Sequence, residues 1–288
     1  MIIRFIASTE ADVAPFQDHF LGLKTIFEEA QFPYWILVRD QTVMGLIVAA
    51  KEPRELLQQP STTFIQIYLF RHELDAVSQL LSEAQRIATE HQAAYISCKV
   101  STDKHESIQA LEKAEFTVYD ETVKMGVPLD NVVPPATNLS FYRTSPEETS
   151  QILDNLASSM TNTPDRLLHT VVYNIRNLPP DQLESTLSQM EVVLVKDSTN
   201  TVGLLSLEGP TIGMLGVHPN ARGKGYGQAI TQWAKSHLAE QGHFRAWLRV
   251  SVANAPARHI FEKNGFKVSE QIRYYVKTIP ALWRDIPP

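Results

Sequence analysis

The feature that most constrains this chain is a phrase it uses twice. Leu111-Glu112-Lys113-Ala114-Glu115-Phe116 and Phe261-Glu262-Lys263-Asn264-Gly265-Phe266 lie 150 positions apart. The same offset pairs Val100 with Val250 and Ala84 with Ala234 without a gap. Ahead of each phrase the order of segments repeats. Val77, Leu80, Leu81, Ala84, Ile87 and Ala88 have helical spacing, as do Ile230, Trp233, Ala234 and Leu238, with Gly242 placed to stop the second helix. A strand-like run follows each helix, over 94–100 and 244–252, and a second helix ends each copy in the shared phrase. Upstream, Thr42-Val43-Met44-Gly45-Leu46 and Thr201-Val202-Gly203-Leu204 read as second strands of hairpins after the polar turns 39–41 and 197–200. An internal duplication of about 130–150 residues per copy explains this order, and each copy has an ordinary domain size.

Strands alternating with helices predict an α/β class, with an α+β mixed sheet in each copy. The segment 130–138 carries adjacent prolines, Pro134 and Pro135, and no apolar periodicity. Prolines fix φ and bias their neighbours toward extended backbone. The expected division is therefore a first domain over 1–130, a linker over 131–138 and a second domain over 139–288.

Several function classes are excluded at this level. The longest apolar run, Val43–Ala50, falls far short of the ~20 residues that span a bilayer, so no membrane partner is expected. Arg4, Glu10 and Asp12 leave no room for a signal-peptide core. A single cysteine, Cys98, rules out a disulfide framework within the chain and fits a reducing cytoplasm; its strand spacing predicts a buried structural thiol. Nine histidines lie scattered without ligand spacing, and no metal is expected. A net charge of −6 argues against nucleic acid as a partner.

The chemistry concentrates in the second copy. Met214-Leu215-Gly216-Val217 reads as a strand, and His218-Pro219-Asn220-Ala221 breaks it. Arg222-Gly223-Lys224-Gly225-Tyr226-Gly227 then opens directly into a helix. Alternate glycines let the backbone fold tightly and approach a ligand. Several N–H groups and the positive end of the helix can converge on one anion, and Arg222 and Lys224 add formal charge. Such a site suits a pyrophosphate. A Walker loop lacks its hydroxyl here, because Gly225 follows Lys224. A dinucleotide fingerprint needs a different glycine spacing, immediately after the strand.

With these residues in view, the chain resembles the GNAT superfamily of acyl-CoA N-acyltransferases. The motif R/Q-x-x-G-x-G/A of that family matches 222–227, preceded by Val217-His218-Pro219. Its second signature matches Asn254-Ala255-Pro256-Ala257-Arg258 and the phrase from Phe261 to Phe266. The resemblance covers most of 138–277. It implies two tandem GNAT-like domains of the acyl-CoA N-acyltransferase fold, with acetyl-CoA as cosubstrate and an amine acceptor. The cofactor-binding residues it implies are Leu215, Gly216, Val217, Arg222, Gly223, Lys224, Gly225, Tyr226, Gly227, Asn254 and Phe261. Pantetheine would pair with backbone at 215–217, and the Val217 N–H would stabilise the oxyanion.

Two family roles lack an obvious owner. Phe261 stands where many relatives carry the tyrosine that protonates the departing thiolate. Tyr274 and Tyr275, on a following strand-like segment, are the candidate acids, and alternation sends them to opposite faces. The fourth strand, 211–217, has no carboxylate to serve as base, which leaves Glu208 and His218 as candidates. Asn254 reads equally as a helix cap. The first copy sets His72-Glu73-Leu74-Asp75-Ala76-Val77 against the glycine loop; it has no glycine, and Glu73 and Asp75 would repel a pyrophosphate. That copy is expected to be a degenerate GNAT domain that binds no CoA. Acceptor choice is assigned to 12–31 and 149–187, which carry no readable motif. A non-catalytic CoA-binding regulatory protein, or an interaction module, is the alternative function.

Overall fold

A computed structural model describes residues 3–20, 32–51, 63–145, 148–167, 172, 175–176, 178 and 180–279. The chain divides into two compact units, 1–119 with 272–288, and 120–271.

In unit 1, strands β1 (Ile3–Ala7), β2 (Tyr34–Arg39), β3 (Thr42–Lys51) and β4 (Thr63–Leu69) form an antiparallel meander. Asp40 and Gln41 both take positive φ in the turn between β2 and β3, the geometry of a tight hairpin. Helix α1 (Leu74–Glu90) then crosses to β5 (Tyr95–Ser101), which lies parallel to β4. The predicted apolar stripe of α1 is buried in full, from Val77 to Ala88, and Ala76 is buried with it. Each large side chain on that stripe contributes roughly 1.5–3 kcal/mol. Helix α2 (His105–Lys113) follows, and then β6 (Thr117–Pro128).

Unit 2 repeats the plan. Strands β7 (Leu139–Arg143), β8 (Glu191–Asp197), β9 (Asn200–Glu208) and β10 (Thr211–Val217) form the meander, with α3 (Thr149–Ser159) and α4 (Pro180–Ser188) between β7 and β8. Helix α5 (Tyr226–Glu240) leads to β11 (Arg245–Ser251), and α6 (Ala255–Lys263) leads to β12 (Lys267–Thr278).

The repeat has a physical basis in both units. A Cβ on Gly45 of β3 would come within 2.4 Å of Leu80, and one on Gly203 of β9 within 3.2 Å of Ile230. Leu80 and Ile230 are 150 positions apart. Each helix thus seats one branched side chain on a bare backbone of the hairpin. The shared phrase is a helix stop. Phe116 N–H donates to Leu111 O at 3.0 Å, and Phe266 N–H to Phe261 O at 3.1 Å. The residue before each phenylalanine is left-handed, Glu115 at φ 63° and Gly265 at φ 85°. These are the marks of a Schellman closure.

The division of the chain differs from the one expected from the sequence. Strand β6 pairs with β11 from Thr122↔Ser251 to Pro128↔Arg245, which commits the chain to unit 2 before the prolines are reached. The segment 131–138 lies inside that unit, where Gln232 donates to Val133 O at 3.1 Å. The far half of β12 closes unit 1 instead, antiparallel to β5 from Ile272↔Ser101 to Thr278↔Tyr95. The sheet order is β1-β2-β3-β4-β5-β12 in unit 1 and β6-β11-β10-β9-β8-β7 in unit 2. In both, the slot beside the strand parallel to the meander is filled by a segment distant in sequence.

Among the described residues no helix is long and apolar enough to cross a membrane, and no cluster of three metal-ligating side chains occurs. Cys98 is buried in the core of unit 1, and burial pushes its thiol up to about 12, which fits a structural role.

Candidate functional site

The site begins where two parallel strands part. β10 pairs with β11 only at Thr211↔Trp247 and Ile212↔Leu248, although β10 runs on to Val217 and β11 to Ser251. A bulge between Ile212 and Met214 interrupts the pairing with β9, and Ser206 Oγ accepts the Met214 N–H at 3.0 Å. Beyond it, His218 N–H donates to Val202 O at 2.9 Å. Antiparallel alternation then turns the N–H groups of Leu215 and Val217 away from β9, toward the parted edge.

The chain leaves β10 through a 3₁₀ turn, Pro219–Ala221, and reaches α5 over the glycine loop. Gly223 and Gly225 both sit at φ +80°, a conformation costly for any other residue here. Space around both is open, with nothing within 4 Å of a built Cβ. The first turn of α5 presents N–H groups that have no partner within the helix. Gly216 is glycine for a different reason. A Cβ there would meet Ser159 and Met160 at 2.8 and 2.9 Å, where the chain leaving α3 crosses the strand.

These elements enclose a groove of about 450 Å³. Its walls are Leu215, Gly216 and Val217 on β10, the loop from Ala221 to Gly223, 225–228 at the start of α5, the segment from Ser159 to Pro164, and Asn254 with one face of α6. Of the cofactor residues named from the sequence, nine line it: Leu215, Gly216, Val217, Arg222, Gly223, Gly225, Tyr226, Gly227 and Asn254. Lys224 does not line it and points to solvent. Asn254 caps α6, accepting the Ala257 N–H at 3.3 Å, and its amide donates to Thr163 Oγ1 at 3.1 Å. Arg222 is a strut rather than a free cation. It donates to Val217 O at 3.1 Å, Ser159 O at 3.3 Å and Thr161 O at 2.7 Å, and so ties the segment after α3 to the loop. Tyr226 donates to Asp197, and this bond pushes its phenol above the ordinary range.

The sequence reading missed His259 and Lys263, which line the groove from α6. The available signal was their spacing with Pro256 and Ile260 on one helical face that opens beside Asn254.

Five further residues named from the sequence do not line the groove. Phe261 does not line the groove. It is buried in the core of unit 2, edge-on to Phe266 at 6.0 Å, and faces a second cavity of about 180 Å³. Tyr274 and Tyr275 belong to the part of β12 that closes unit 1, opposite Lys99 and Cys98, and Tyr275 is 1% exposed in that core. They are packing residues, because β12 has passed into the other unit by that point. Glu208 lies exposed at the hairpin turn, at the opposite end of β10 from the loop, roughly 20 Å of strand away. His218 stands nearer, 3.4 Å from Ser158 Oγ, but lines neither cavity. Burial holds its imidazole below the ordinary histidine value, so it is neutral at pH 7.

That shift has a measurable consequence. As pH falls below the ordinary value the unfolded chain takes up a proton that folded His218 resists. Stability from this group is therefore full above pH 6.5 and is lost as pH falls toward the lower folded value. Urea melts at pH 7.5 and 5.5 should show a smaller acid loss for His218→Asn than for the parent.

Unit 1 closes the equivalent position from within. Glu106 accepts the Leu74 N–H at 2.8 Å, at the start of α1. Asp75 follows in the first turn, paired with Arg39 at 2.6 Å, which holds its carboxyl below the usual range. A carboxylate of the chain itself thus occupies the anion position there. Within 12–31 and 149–187, residues 21–31, 168–171, 173–174, 177 and 179 lie outside the described residues.

Comparison with known proteins agrees with this geometry. Residues 187–266 match the acetyltransferase (GNAT) family. A GCN5-related N-acetyltransferase from Sphaerobacter thermophilus superposes with a TM-score of 0.65 at 14% identity, covering 95% of each chain. A tandem GNAT protein from the clavulanic acid biosynthesis pathway gives 0.62 at 13% identity, over 96% of this chain and 98% of its own. A streptothricin acetyltransferase from Streptomyces lavendulae is 39% identical over 56 residues, 19% of this chain. The matched stretch spans only 30% of that relative's length. The parted strands, glycine loop and helix belong to a mixed α/β fold shared with solved GNAT proteins. More particularly, the similarity to the GNAT acetyltransferase family lies in 187–266, and the fold of solved GNAT proteins extends over about 95% of the chain.

Proposed function

We propose that this protein transfers an acetyl group from acetyl-CoA to a primary amine by direct attack, with both substrates bound together in unit 2. The observation that carries this reading is the groove, which runs from the turned-out N–H groups of Leu215 and Val217 to the open glycine loop at a helix start. Those parts fit the cosubstrate. The β10 edge can pair with an amide-bearing pantetheine arm, and the loop can receive a pyrophosphate. The Val217 N–H is the donor for a thioester oxygen that gains charge.

Unit 1 takes no CoA in this reading, since Glu106 fills its helix start. Calorimetry with CoA should therefore give one site per chain, and two equivalent sites would refute it. Acetyl-CoA turnover with a panel of primary amines tests the reaction itself. Phe261 favours a second reading, because it offers no proton to a leaving thiolate, a contribution worth roughly 10²–10⁴ in rate where present. Tight CoA binding without turnover across the panel would establish a non-catalytic CoA-binding protein.

A further inference from the structure

Behind the groove lies the second cavity, of about 180 Å³, which shares Leu215, Asn254 and Ala257 with it. It includes no residue of the glycine loop and follows β10 back to Ile212, so it continues the groove at the end away from the loop. Its lining is largely apolar, with Ile212, Met214, Leu248, Val250 and Phe261, all of them buried. Phe261 presents a bare ring there, where a buried phenol would need a hydrogen-bond partner. The four polar side chains that reach the cavity, Thr122, Asp165, Arg249 and Asn254, are engaged within the protein. Arg249 donates to Thr122 Oγ1 at 3.1 Å and lies 3.8 Å from Glu270. Asp165 accepts the Ser251 N–H at 3.0 Å, and Asn254 is held by the Ala257 N–H and Thr163. The space therefore suits an apolar guest, which gains by leaving water.

We infer that this cavity receives the acyl tail of the cosubstrate, and that the protein binds acyl-CoA donors of four to six acyl carbons more tightly than acetyl-CoA. This rests on the acyltransfer reading above. With the pyrophosphate at the glycine loop and the thioester beside Val217, the acyl tail is the part of the linear cosubstrate furthest from the loop. It then lies next to Leu215, where the cavity begins. An apolar cavity of about 150 Å³ holds the six carbons of a benzene ring. A space of about 180 Å³ thus has room for a tail of butyryl to hexanoyl length. An acetyl methyl fills only a small part of it, and unfilled apolar walls forfeit their contacts. The longer tail leaves the chemistry unchanged. The amine nitrogen forms the C–N bond to the thioester carbon, and the C–S bond breaks with its electron pair on sulfur. Of the two protons that the ammonium gives up, one goes to sulfur and one to solvent, which leaves an amide and a free thiol.

The test uses the full chain and compares acetyl-, butyryl-, hexanoyl- and decanoyl-CoA by calorimetry, with no acceptor present. Each buried methylene is worth about fourfold in affinity, so butyryl-CoA should bind about 15-fold more tightly than acetyl-CoA. Hexanoyl-CoA should bind at least as tightly as butyryl-CoA. Decanoyl-CoA outgrows the cavity and should gain nothing further; affinity that goes on rising to decanoyl would put the tail on open surface and overturn the assignment. Val250→Phe fills the space and should bring the butyryl-to-acetyl ratio below about threefold. A ratio unchanged in the folded variant would refute the placement. The parent series decides alone where that variant fails to fold: equal affinities for acetyl- and butyryl-CoA would overturn the inference. Failure to bind CoA itself would overturn the acyltransfer reading instead.

Discussion

Gly225→Asp should weaken CoA binding at least about 100-fold while leaving the protein folded. Two effects act together. Gly225 sits at φ +80° as the residue that opens α5, and an L side chain there costs about 1–2 kcal/mol. The loop relieves that strain by leaving the conformation that binding needs. The new carboxylate also stands at a helix start, where anions are otherwise favoured by up to ~2 kcal/mol, and it competes with the pyrophosphate for the same N–H groups. Each 1.4 kcal/mol is about tenfold in affinity. The fold survives because nothing lies within 4 Å of the added Cβ. Gly225→Ala carries the strain without the charge and should lose less. Calorimetry with circular dichroism decides the matter; an unchanged Kd in a folded variant would mean that the loop does not meet the phosphates.

Tyr275→Ala should cost about 3–5 kcal/mol of stability, whereas Tyr275→Phe should leave kcat/KM within threefold. The ring is buried in the core of unit 1, opposite Cys98. Truncation leaves a cavity that the surrounding sheet and helices fill only in part. A catalytic acid would behave in the opposite way, losing rate with phenylalanine and little stability. Thermal melts and steady-state rates on the same pair of variants separate the two, and a rate loss of tenfold or more in Tyr275→Phe would restore the tyrosine as an acid.

What could be read from the sequence was what local spacing dictates. The glycine loop, the helix stripe from Val77 to Ala88 and the closures at Phe116 and Phe266 depend on residues within a few positions of one another. So nine of the cofactor residues came out on one groove. The partner of β12 was hidden, because Tyr275 alternates correctly against either unit and only the pairing with Cys98 decides which. Arg222 lines the groove, but its bracing role was hidden, because two of its three carbonyl partners lie more than 60 positions away.

The closing of unit 1 by Ile272–Thr278 also sets an order of completion during synthesis. Unit 2 is entirely made before residue 272 leaves the ribosome, although unit 1 was begun first. At about 5–20 residues per second, the gap of about 150 residues holds the nascent β5 open for roughly 8–30 s. An open strand edge is a template for pairing with other chains. Lys99, the exposed residue on β5, places a charge on that edge during the wait, which is how natural sheets discourage such encounters. A strand borrowed from beyond the second unit therefore makes the folding of the first unit wait for the synthesis of the second.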